Sequence, residues 1–208
     1  GRVTVLTMGP PQSREALEEA LAMGADEGIL LCDRAFAGAD AYATALTVSA
    51  AIKKFCPFNL ILCGSETVDS GTRMVGPMLA EFLDVPYATN VRAMEFKSEE
   101  TCLAEAGLDN GCMKVELRLP ALITVNRVVN EPRIPDVMGI IQVAGKTVST
   151  YGAKDLGLPA DKLGLAGSPT RVAGVWEFKK DRRSEVLKGN PKNASSDAVA
   201  RLREWGGL

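Results

Sequence analysis

Residues 61–77 read ILCGSETVDSGTRMVGP. An apolar run, FNLILC (58–63), stops at Gly64, small polar residues follow, and Gly76-Pro77 leads into a second apolar stretch. This pattern predicts a strand, a turn and a helix over Thr72–Leu83, with Met74, Met78, Leu79 and Phe82 on the apolar stripe. The same alternation recurs upstream. VTVLTMGP (3–10) is a β-branched strand, Ser13 starts a helix that Gly24 closes, and EGILLC (27–32) is a second strand. DRAFAGAD (33–40) is a loop, and AYATALTVSAAIKKF (41–55) is an Ala-rich helix with Asp40 as its cap and Lys53-Lys54 at its end, where cations suit the helix dipole. Strands alternating with helices predict an α/β fold, a mostly parallel sheet with flanking helices.

The pattern then changes. DVPYATNVRAMEF (84–96) starts a further strand, while CLAEAG (102–107) and CMKVELRLP (112–120), joined by LDNG, predict an antiparallel hairpin extension. PALITVNRVV (120–129) returns to a buried strand. After Asn130 there are two prolines and a short helical stretch, then KTVSTYGAKDLG (146–157), a strand-like piece with a polar loop. Residues 158–192 are rich in Gly, Pro and Lys, and SSDAVARLREW (195–205) predicts a last helix capped by Ser195 or Ser196. The expected division is an α/β domain over 1–157, its hairpin at 101–120, and an extended C-terminal arm over 158–208.

Composition excludes several classes of function. The 208 residues are 46% hydrophobic and 24% charged, with a formal charge of −2, so no basic excess points to nucleic acid. Lys53-Lys54, Lys179-Lys180 and Arg182-Arg183 read as solvated faces. No apolar run is long enough for a membrane span, and no signal segment is present. The chain opens on Gly1-Arg2 without an initiator Met, which reads as a trimmed N-terminus. Five cysteines, an odd number with no C-x-x-C, predict free thiols in a reducing, cytoplasmic setting. Histidine is absent, which removes Ser-His-Asp, Cys-His and histidine metal sites, and no carboxylates converge. We therefore expect no catalytic residue and no metal; the chain binds a group that carries the chemistry.

The corner 64–72 is the candidate site. In open α/β sheets ligands bind beyond the carboxyl ends of strands. Gly64 and Gly71 allow a close approach of backbone to ligand, and Ser70, Thr72 and the helix-start N–H groups can hold a phosphate. Main-chain groups of Ser65 to Val68 can grip an adenine edge. A plain βα turn uses the same residue types, so local chemistry leaves both readings open. MGPP (8–11) and DRAFAGAD sit at two further strand ends, which are expected to share one rim with the corner.

ALAMGADEGILL (20–31), DRAFAGADAYAT (33–44), LILCGSETVDSGTRMVGPMLAEFL (60–83), LPALITV (119–125), NEPRIPDVMGI (130–140) and GSPTRV (167–172) together resemble the β subunit of electron transfer flavoproteins, across nearly the whole chain. The resemblance implies an adenine nucleotide alpha hydrolase-like α/β fold. It implies a heterodimer with an α subunit and electron transfer between dehydrogenases and acceptors such as a quinone oxidoreductase; the tail 158–208, with little core of its own, is either a flexible end or an arm laid on that subunit, and the arm is expected here. The resemblance also implies FAD or AMP bound at Met8, Gly64, Ser65, Glu66, Thr67, Val68, Asp69, Ser70, Gly71, Thr72, Arg73, Met74 and Val75. DRAFAGAD and GSPTRV look more like the bifurcating or nitrogen-fixation branch, in which flavin takes a hydride from a nicotinamide such as NADH; FAD is therefore favoured over AMP. A partner-recognition segment is implied at Lys146, Thr147, Val148, Ser149, Thr150, Tyr151, Gly152, Ala153, Lys154 and Asp155. The chain departs from the family at Glu66, Gly71 and Ala106, and the family's N-terminal strand and following segment are not found ahead of Gly1. The alternative from another class is a non-redox adenine-nucleotide module of universal-stress-protein type.

Overall fold

Three β-branched or apolar runs build a small parallel sheet: β1 (Thr4–Met8), β2 (Glu27–Leu31) and β8 (Thr147–Tyr151), in the order β1-β2-β8. A second sheet holds β3 (Leu60–Gly64), β4 (Tyr87–Phe96), β5 (Thr101–Leu108), β6 (Gly111–Arg118) and β7 (Ala121–Val125), in the order β3-β7-β4-β5-β6. There β7 runs parallel to both β3 and β4, and β4, β5 and β6 are antiparallel. The computed structural model describes residues 1–68, 70–177 and 185–206. Asp69 and the basic pairs Lys179-Lys180 and Arg182-Arg183 lie outside them.

The α/β class and the hairpin are as the sequence predicts, with Leu108 paired to Gly111 across a two-residue turn. The shared rim of three strand ends is not. β1 and β2 lie in the first sheet, whereas β3 lies in the second, because its parallel partner is β7. Ala121–Thr124 of β7 are all buried, which makes this run the centre of the second sheet.

The two sheets share a core through α2 (Ala41–Phe55). Leu6, Val48 and Cys56 pack both on the cluster of Ile29, Leu31 and Phe36 and on the cluster of Leu79, Leu83 and Leu122. On the first sheet, α1 (Arg14–Ala22) buries Leu17 and Leu21, spaced four apart on one face. The lysines ending α2 are not merely solvated: Lys53 Nζ donates to the Phe82 carbonyl and Lys54 Nζ to that of Asp155.

Asp40 caps α2 as predicted, its Oδ1 accepting from Ala43 N–H at 3.0 Å. Its Oδ2 also takes the N–H and hydroxyl of Thr170, at 2.9 and 2.7 Å. Burial acts to raise this carboxyl's pKa, but the donors from Ala43, Thr170 and Tyr42 outweigh it and hold the group below the usual range. Its stabilising contribution is therefore complete at neutral pH and is lost as the pH falls through the depressed value. Asp40→Ala is expected to cost about 1–2 kcal/mol in a urea melt at pH 7. The difference from wild type should shrink in acid.

Helix starts correct the sequence at two places. α3 spans Val75–Leu83, not 72–83, because Gly71 and Arg73 both hold left-handed backbone, φ 56° and 57°. The last helix, α6 (Pro191–Glu204), is capped by Asn190, whose side chain accepts from Asn193 N–H, with Pro191 in the first helical turn. Ser195 and Ser196 sit inside it and bond back to the Lys192 carbonyl.

The chain divides into a unit of Gly1–Arg171 and a unit of Val172–Leu208. Residues 158–171 thus fall with the α/β unit: Leu163 is 2% exposed in its core, and Ser168 Oγ accepts from Asp40 N–H at 2.8 Å. Within the second unit, α6 leaves Val199, Leu202 and Trp205 exposed, and Arg201 pairs with Glu185 and Glu204.

Candidate functional site

At the end of β3 the chain turns sharply over the end of β7. Ser65 donates through its N–H and its hydroxyl to the Val125 carbonyl, each at 3.0 Å. The loop then closes on itself: Gly71 N–H donates to the Thr67 carbonyl at 3.1 Å, and the Thr67 and Ser70 hydroxyls lie 3.0 Å apart. Arg73 Nε and Nη2 reach the Glu66 carboxylate at 2.6 and 3.1 Å. Hydrogen bonds and charge from Arg73 hold the Glu66 carboxyl below its ordinary range. Val68 is fully exposed, and Met74 caps α3 without a side-chain bond. An open depression of about 340 Å³ is lined by Glu66, Thr67, Val68 and Gly71.

The corner leaves open space at the strand end and N–H groups without a helical acceptor at the helix start, the features by which a ligand edge and a phosphate could be held. A Cβ built on Gly64 meets nothing closer than the Glu66 carbonyl at 3.9 Å, so the space over the strand end is open to a ligand. Thr72, Arg73, Met74 and Val75 lead directly into α3, whose first N–H groups have no helical acceptor.

The structure brings Gly64 to Val68 and Ser70 to Val75 together at one strand end. Met8 is the last residue of β1, in the other sheet, paired with Leu31. The segment Lys146–Asp155 forms β8, an edge strand of its sheet, and the start of α5 (Ala153–Leu156). Lys146 Nζ donates to the carbonyls of Leu21 and Ala25, Tyr151 stacks on Phe55 with centroids 3.9 Å apart, and Ala153 N–H donates to Asp33 Oδ2.

Several contributors escape a reading of the sequence. Gly76, in the first turn of α3, passes so close to β7 that an added Cβ would lie 2.3 Å from Thr124 Cγ2. Thr124 is buried, and its Oγ1 accepts from Asn90 N–H at 3.0 Å. Asn90 holds left-handed backbone at a bulge in β4, fixed by its Nδ2 on the Gly107 carbonyl and by Asn126 Nδ2 on its own Oδ1. Left-handed tolerance of Asn was the available signal. A run of exposed apolar side chains, Ile134 and then Val137, Met138, Ile140 and Ile141 of α4 (Val137–Gln142), leads into the Lys146 segment.

Burial pushes the Cys63 thiol up, so at neutral pH it is a packed apolar group and not a nucleophile. All five cysteines are free. Among the described residues no cluster of His, Cys, Asp or Glu can hold a metal, and no helix is long and apolar enough to cross a membrane.

Fold and corner together define an α/β protein with a self-closed loop over an open depression at a parallel strand end. Residues 1–156 match the family model described as Electron transfer flavoprotein domain. The chain is 44% identical over 203 residues to the electron transfer flavoprotein subunit beta of Thermoanaerobacterium thermosaccharolyticum, covering 97% of this chain and 77% of that one. It is 40% identical to the subunit of the same name in Clostridium acetobutylicum, over 97% and 77%. It is 36% identical to Protein FixA of Azotobacter vinelandii, over 97% and 75%. The chain belongs to the electron transfer flavoprotein family, on its β-subunit side. That kinship places it in electron transfer, not with the non-redox module of universal-stress-protein type.

Proposed function

We propose that the chain works as one half of a cytoplasmic heterodimer with an α subunit, holding an adenine nucleotide at the β3 corner, FAD in preference to AMP. The observation that carries this is the corner itself: a self-closed loop over an open strand end, with a glycine where a side chain would intrude. Membership of a flavoprotein family supports a flavin, and the chain is also 36% identical, over 97% of its length, to the Caffeyl-CoA reductase-Etf complex subunit CarD of Acetobacterium woodii. Bound flavin supplies hydride and single-electron chemistry. The chain's own residues would bind and orient it: Ser65 pins the loop to β7, and the polar loop side chains and helix-start N–H groups would hold the nucleotide's phosphates. Partner dehydrogenases or acceptors are proposed to dock on Lys146–Asp155 together with the exposed apolar run before it.

The test is to co-purify the chain with its α subunit, denature the complex, and count released nucleotides. Two FAD per heterodimer are expected. One FAD and one AMP would keep the corner and remove FAD from it. AMP or ATP without flavin, from a chain that ignores an α subunit, would overturn the reading.

The C-terminal arm is proposed to hold the α subunit. Truncation after Arg171, which spares Leu163 and Ser168, is expected to abolish co-purification while circular dichroism shows the α/β unit folded. Retained assembly would assign the contact elsewhere.

A further inference from the structure

Glu66 and Arg73 face each other across the mouth of the corner, one just after the strand and one just before α3. The contact is two-pronged, through Nε and Nη2, which leaves the Nη1 edge of the guanidinium free of Glu66. Asp109, at the turn between β5 and β6, adds a second negative charge near Arg73. Arg73 holds this position on left-handed backbone, which a non-glycine residue adopts only when its surroundings fix it. Among the described residues lining the depression, Glu66 is the charged one, and its partner Arg73 stands two positions ahead of the first residue of α3.

We propose that Arg73 is the phosphate-binding cation of the corner and Glu66 its resident counter-anion, so that Glu66 sets how strongly the site prefers a phosphorylated adenine ligand to the bare nucleoside. This rests on the nucleotide reading of the corner given above. An arriving phosphate meets an Arg73 already neutralised by Glu66, with Asp109 adding further negative charge nearby, so the attraction of Arg73 is offset chiefly by repulsion from the carboxylate that touches it, Glu66. The side chains are 67% and 45% exposed, so the pair is weak and a phosphate can displace the carboxylate. A nucleoside carries no charge and is indifferent to the exchange. Glu66 is a specificity-determining residue that acts through Arg73.

The test titrates AMP and adenosine into the assembled heterodimer after its corner nucleotide has been removed by dialysis. Glu66→Gln is expected to tighten AMP about two- to fivefold at low salt and to leave adenosine unchanged, the gain fading at high salt. Arg73→Gln should bring AMP down towards adenosine, and Arg73→Lys, which keeps the charge without the fork, should retain part of the preference. Equal changes for AMP and adenosine, or an AMP affinity that neither substitution moves, would reduce the pair to a surface contact while leaving the nucleotide site standing. A wild-type heterodimer that binds neither ligand would overturn both the pair's role and the nucleotide reading.

Discussion

Gly76→Ala is expected to destabilise the α/β unit although Gly76 touches no ligand. Alanine is the better helix former by about 0.5–1 kcal/mol, so on propensity alone the change should stabilise α3. Packing opposes it. The new methyl would lie 2.3 Å from Thr124 Cγ2, inside any real contact distance. Thr124 cannot rotate away cheaply, because its Oγ1 receives the N–H of Asn90 at the β4 bulge. Moving α3 outward instead opens the core shared by Leu79, Leu83 and Leu122. Overpacking of this kind costs about 1–3 kcal/mol. The net loss is expected to lower Tm by about 2–6 °C. Pairing the change with Thr124→Ser, which removes Cγ2 and keeps the acceptor oxygen, should restore most of it. A melting temperature that is unchanged in the single variant would mean the helix and β7 are less closely seated than described.

Gly64→Val is expected to have the opposite profile: a folded protein with an empty corner. Gly64 ends β3 in register with Val125, and its backbone is not left-handed, so a β-branched residue is compatible with the strand. The nearest atom to an added Cβ is 3.9 Å away, so the fold has room. The space the valine fills is the space a ligand edge needs. Corner nucleotide recovered from the heterodimer should fall at least about tenfold, the equivalent of losing roughly 1.4 kcal/mol of binding, with Tm little changed. Full nucleotide content in a well-folded variant would move the ligand off the strand end.

These two glycines also mark what the sequence could and could not convey. Gly64 was legible because it interrupts an apolar run, and an interrupted run before a helix is a local signal. Gly76 was read only as part of a helix start. Its reason is a contact with Thr124, 48 positions on, and no spacing rule reports such a contact. The same division holds for the fold. Asp40 as the cap of α2 and the LDNG hairpin rest on neighbours in the chain and could be read directly. The pairing of β3 with β7, which moves the corner out of the sheet of β1 and β2, is a choice between apolar runs that look alike in sequence. Helix ends were misread where special residues act at a distance of a few positions: Arg73 on left-handed backbone delays α3, and Asn190 with Pro191 starts α6 ahead of the serines. The Glu66–Arg73 pair was beyond reach because six residues of loop lie between its members, and the left-handed backbone at Gly71 and Arg73 helps to bring them together.

The β3 corner is the proposed nucleotide cradle of this electron transfer flavoprotein subunit. Amide hydrogen exchange on the assembled heterodimer, with the corner nucleotide bound and removed, tests it most directly. Added protection within this chain is expected to be greatest in residues 64–75, where β3 ends and α3 begins. Unchanged exchange there, with protection centred instead on β8 and α5, would contradict it.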